Sequence, residues 1–178
     1  MEAPIAFLPV DLYRWDHGPG GDALVVPVWS DIRPLRGAAG LLDWRLCGRL
    51  SQMIRDGRVS GTMREKLLLV TSRIPWRRVL AVGVGGSAAF CEDAFCATID
   101  CSLEALRGIG ARSVAFALPG RDIDLIRPDR AVGHFMDALA RSEAASGVWL
   151  ERLTVIDAPS AAKALGDAFH VPSTNPHG

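Results

Sequence analysis

The residues best typed and spaced for chemistry are Gly83, Gly85, Gly86 and Ser87, within VLAVGVGGSAAF. They leave an apolar run and lead toward a helix start, where backbone N–H groups point outward and favour a phosphate or carboxylate. The stretch departs from both nucleotide fingerprints. No Lys follows, as a phosphate-binding P-loop requires, and the third glycine position after Gly83 and Gly85 is Ala88. No acid suited to a ribose follows at a strand end about twenty residues on. Close packing of a helix on a sheet accounts for the same glycines.

A second group is Asp43, Trp44 and Arg45, with Arg49 one turn on. A Trp between an acid and a base can stack on a base or hold a partner's side chain. The alternative is a half-buried anchor beside an acid that complements the helix dipole. Arg45, Arg49, Arg55, Arg58, Arg73, Arg77 and Arg78 crowd one third of the chain. They read as a phosphate-holding patch or as a solvated helix face. Trp15, Trp29, Trp44, Trp76 and Trp149 are the aromatic side chains a partner would use, if exposed.

The remaining candidates are bland. His17, His134, His170 and His177 have no metal-ligand spacing, and His134 reads as structural beside an apolar helix face. Asp122 and Asp124 read as loop acids facing water. Cys47, Cys91, Cys96 and Cys101 contain no C-x-x-C pair. Five residues turn a helix by about 140°, so the last three cannot converge on one tetrahedral ion. They read as small, mostly buried thiols in a reducing compartment. No catalytic set, metal site or cofactor is expected.

The elements that would position these residues follow from the apolar period. Ile5–Val10, Ala23–Trp29, Lys66–Thr71, Val79–Val84, Ser113–Leu118 and Leu150–Ile156 read as strands, most of them continuous apolar runs of the doubly covered kind. Pro27 suggests that the second is an edge strand or bulged. The short link between Thr71 and Val79 suits an antiparallel pair. Stretches 37–57, 91–107, 127–145 and 160–169 read as helices, the first by the stripe Leu42, Leu46, Leu50, Met53 and Ile54. The order is β-β-α-β-β-α-β-α-β-α, a three-layer α/β/α domain around a mixed sheet. It reads as one domain over 1–170 with a frayed tail, 171–178.

The composition agrees. Apolar residues are 49% and charged residues 22% of 178, which excludes a disordered or fibrous chain. Lys plus Arg equals Asp plus Glu at 20 each, so no global field draws the protein to nucleic acid or membrane. The N-terminus has no basic stretch before a long apolar one, and no apolar run spans a bilayer. The expected location is the cytoplasm.

Several stretches together resemble a known family. They are Gly21–Val26, Arg33-Pro34-Leu35, Gly37, Gly40, Leu42-Asp43-Trp44, Gly48–Ser51 and Arg78–Gly85. In order and spacing they look like the N-terminal domain of leucyl aminopeptidases of the M17 type, whose fold is macro-domain-like. The resemblance continues through 91–107 and Leu118-Pro119-Gly120. It implies a domain outside the catalytic core, which helps a hexamer assemble and in some bacterial members contacts DNA. Peptide hydrolysis in that family belongs to a separate dimetal domain, and no catalytic or metal-binding residue carries over to this chain. The expected function is therefore a stand-alone, non-catalytic interaction module, with a protein partner or a homo-oligomer. Trp44, Arg45 and Arg49 would form its surface. The alternatives are a binder of ADP-ribose or another nucleotide at Gly83–Ser87, as in related macro domains, with Gly120 and Arg121 nearby, or nucleic-acid binding through the arginines, which the neutral charge disfavours.

Overall fold

Side chains alternate across a strand, so the burial of neighbouring residues tells which layer each serves. In β2, Gly21–Trp29, Ala23 and Val25 enter one apolar core while Leu24, Val26 and Val28 enter another. A strand buried on both faces needs helices on both sides. The computed structural model, which describes residues 5–169, has that arrangement. Its single sheet runs β1 (Ile5–Pro9), β6 (Arg152–Asp157), β5 (Ser113–Ala117), β2, β4 (Trp76–Gly85), β3 (Lys66–Val70). All neighbours are parallel except β3, which pairs antiparallel with β4 as the short link predicts.

One layer holds α4 (Glu92–Gly108) and α5 (Pro128–Ser146), burying Phe95, Ile99, Leu103, Phe135 and Leu139. Glu92 and Asp93 complement the dipole of α4, and α5 starts on Pro128, whose missing N–H costs nothing there. The other layer holds α1 (Leu12–Asp16), α2 (Gly37–Arg45) and α3 (Arg49–Arg55), with Trp15, Leu42 and Leu50 buried. The last helix, α6, is Ala162–Phe169 after a 3-10 turn at Pro159–Ala161. The proposed tail lies outside the described residues.

Three expectations change. The helix expected over 37–57 is two helices, broken where Cys47 and Gly48 take left-handed backbone angles, φ 57° and 77°. Across the break Asp43 caps α3, accepting from the Ser51 amide at 3.0 Å and from its hydroxyl. Pro27 lies in a central strand. β5 pairs β2 only over Ala23–Val25, so the absent N–H of Pro27 interrupts nothing there, and the register shift falls one step later, at Val28/Trp29. The short helix α1 goes unread because five residues are too few for periodicity; Asp11 caps it on the Arg14 amide.

Candidate functional site

In open, largely parallel sheets ligands enter at the carboxyl ends of the strands. Here that edge carries the ends of β1, β6, β5, β2 and β4. Between β5, β6 and the start of α2 lies a crevice of about 350 Å³. Its polar end is built from the loop after β5. The Arg121 guanidinium, 9% exposed, donates from Nε to Asp157 at 2.7 Å and from a terminal nitrogen at 3.2 Å. Its other terminal nitrogen donates to the Ile126 carbonyl at 2.7 Å and lies 3.5 Å from Asp124. All three nitrogens are committed within the protein. Asp157 accepts a further bond from the Ala158 amide.

Asp122, expected to face water, points inward. It accepts from the Trp29 indole N–H at 2.8 Å, while its other oxygen is buried without a partner. Burial pushes its carboxyl above the ordinary value, against the pull of the Trp29 bond. Gly37, at the mouth of α2, needs its missing side chain, because a Cβ there would meet the Asp122 Cβ at 2.7 Å. The sequence signal for this corner was a charged Arg121-Asp122 pair directly after the Pro-Gly that ends a buried strand.

The glycine turn is also occupied from within. Gly83 packs against the Thr62 carbonyl, where no Cβ fits. The Gly85 amide donates to the Gly61 carbonyl at 2.8 Å. Gly86 has room around it. The Ser87 amide donates to both Asp31 oxygens at 3.0 and 2.9 Å, and its hydroxyl donates at 2.8 Å. These bonds, with the Ser87 hydroxyl first, hold the Asp31 carboxyl below its ordinary value. An internal carboxylate stands at the amide where the sequence placed an external anion.

The α2–α3 face is open. Trp44 is 69% exposed, not the half-buried anchor of the bland reading. It lines a groove of about 700 Å³ with Pro34, Leu35, Gly40, Cys47 and Arg73. Arg45, beside it, is held by Asp16 of α1. Arg49 lies in an adjoining depression with Arg55 and Arg58. Of the five tryptophans, Trp15, Trp29 and Trp76 are core residues, so they offer nothing to a partner. The Trp15 indole is spent on the Pro9 carbonyl.

His134 does find an acid, with Nδ1 3.3 Å from Glu92, a pairing one helix packed on another creates and sequence spacing hides. Two of the four free cysteines, Cys47 and Cys91, are exposed, contrary to the expectation of buried thiols. No group of His, Cys, Asp and Glu able to hold a metal occurs among the described residues.

The profile of the cytosol aminopeptidase family, N-terminal domain, matches residues 25–132. The chain belongs to that family. A probable cytosol aminopeptidase of Nitrosomonas europaea is 34% identical over 109 residues, 58% of this chain and 22% of that protein. Its counterpart in Ralstonia nicotianae is 32% identical over 117 residues, 60% of this chain and 23% of that one. The chain thus spans about a fifth of these relatives' length. Among solved structures, a tomato leucine aminopeptidase mutant superposes with a TM-score of 0.62 at 19% identity, over 95% of this chain and 36% of that one. A Trypanosoma brucei macrodomain in complex with ADP-ribose gives 0.72 at 17% identity, over 93% and 68%. These likenesses establish a macrodomain-like α/β fold. Only the N-terminal domain of the family is matched, and no helix among the described residues is long and apolar enough to cross a membrane.

Proposed function

We propose that this domain is a non-catalytic docking and assembly module of the cytosol aminopeptidase type, acting in the cytoplasm and using the α2–α3 face. The observation that carries the reading is Trp44, a large apolar side chain left exposed over a groove that Arg45 and Arg73 also line, with Arg49 in the adjoining depression. Tryptophan and arginine are the side chains that most often anchor protein interfaces. The phosphate-seeking positions support the same reading by their occupation. A diphosphate in the crevice would meet Asp122, Asp124 and Asp157 with the nitrogens of Arg121 committed, and one at Ser87 would have to displace Asp31.

Sedimentation velocity, alone and with the remaining portion of a cytosol aminopeptidase supplied in trans, tests the reading. We expect association that Trp44→Ala weakens about ten-fold or more, as truncation of an interface anchor does. A chain that stays monomeric and binds nothing through this face overturns it. A nucleotide at Gly83, Gly85, Gly86 and Ser87 is the second reading, favoured by a fold shared with a macrodomain in complex with ADP-ribose.

A further inference from the structure

The α2–α3 face also indicates the chemistry of what docks there. Arg49, Arg55, Arg58 and Arg73 form no ion pair among the described residues, whereas neighbouring Arg45 does. Arg73 donates to the Cys47 thiol at 3.2 Å, and Arg55 to the Gln52 side chain at 2.7 Å, both neutral acceptors. Two carboxylates share the face, Asp43 in the groove and Asp56 in the depression. Each accepts from a neutral donor, Ser51 and Gln52, so they offset two of the four guanidinium charges and leave two in excess. A chain with no net charge therefore presents a locally cationic face, with Trp44 as its apolar point. The guanidiniums are spread over the groove and the depression that adjoins it at Cys47 and Gly48, instead of converging on one small anion.

Charge complementarity across such a face selects and steers an anionic partner. Carboxylates suit it best, since each guanidinium can take one in a two-pronged pair while an apolar neighbour covers the Trp44 ring. A single strand of nucleic acid is the poorer fit. It stacks on successive aromatic side chains, and this groove is lined by one. We propose, resting on the docking role above, that the groove receives an acidic peptide segment of a partner protein, with an apolar residue set among its carboxylates.

Trp44 supplies the readout, because it is the most exposed of the five tryptophans and acrylamide reaches it ahead of the half-buried Trp149. The Trp44→Phe variant gives the Trp149 background to subtract. The probe is a capped hexapeptide of four glutamates around one phenylalanine and one leucine. We expect saturable protection of Trp44, weakening about five-fold or more between about 50 and 300 mM salt as screening sets in. The double variant Arg49→Glu, Arg73→Glu, on exposed positions that leave the melting curve unchanged, should lose the protection. The same peptide with lysines for glutamates should give none. Equal protection by the lysine peptide, or an undiminished response in the double variant, overturns the proposal. So does tighter binding of a single-stranded octanucleotide. If the acidic peptide fails but Trp44 becomes protected as protein concentration rises, the face is an interface between copies, and only the acidic partner is disproved. If neither protects it, the docking role fails as well.

Discussion

Asp22 and Asp122 show how one residue type serves opposite ends. Asp22, at the start of β2, accepts the Ser113 and Arg112 amides at 2.9 and 2.8 Å, and these bonds hold its carboxyl below the ordinary 3.8. Its folded value lies under its unfolded one, so its stabilisation is present above 3.8 and is lost as pH falls through the folded value. Asp22→Ala should cost about 0.5–1.5 kcal/mol at neutral pH, since it removes two hydrogen bonds at a rim where water reaches at least the Arg112 amide. Urea titrations should find that difference shrinking in acid. Asp122 has the reverse sign, because burial raises it. The stability it contributes is present below 3.8 and is lost as pH rises through the folded value. Asp122→Asn keeps an acceptor for Trp29 and cannot ionise, so relative to the native chain its melting temperature should gain as pH rises through the folded value of Asp122. Against that gain stands a pH-independent cost from an amide NH2 buried where no partner stands. The gain should vanish in acid. Neither role was legible beforehand: the Trp29–Asp122 bond joins residues 93 apart. The tryptophans were equally opaque, since composition cannot tell the core residues Trp15, Trp29 and Trp76 from the exposed Trp44.

At the scale of elements, the glycine turn separates packing from binding. A Cβ at Gly83 collides with the Thr62 carbonyl, whereas at Gly86 the nearest atoms are 3.7 Å away. Gly83→Ala should destabilise by about 2 kcal/mol or more through backbone displacement, and Gly86→Ala by less than about 0.5 kcal/mol. Chemical denaturation of the two variants checks this, and equal losses would contradict the packing role. The strands were readable because a run such as VLAVGV is apolar on both faces, and only a doubly covered strand is. The helix over 37–57 was read as continuous because its stripe of leucines crosses the break without interruption. What breaks it is a side-chain cap from Asp43 to Ser51, eight residues apart, together with the left-handed Cys47–Gly48 pair. Periodicity is blind to both.

For the whole molecule, the prediction is that the fold of an ADP-ribose-bound macrodomain does not by itself make this chain an ADP-ribose binder. Thermal scans with ADP-ribose at a hundred times a binder's dissociation constant would add about 2.7 kcal/mol. We expect no such shift for the native chain. A rise of about 5–10 °C would restore the nucleotide reading. The sequence by itself determined the layers, a mixed sheet with one antiparallel pair, and the order of motifs that marks the family, because each follows from local period or short-range spacing. The tertiary structure alone decided that Asp31 occupies the Ser87 amide, 56 residues away, and that Trp44 stays uncovered. Both depend on which loops meet at the sheet's edge. That is set by the packing of two helical layers on a common sheet, and no window of neighbouring residues contains it.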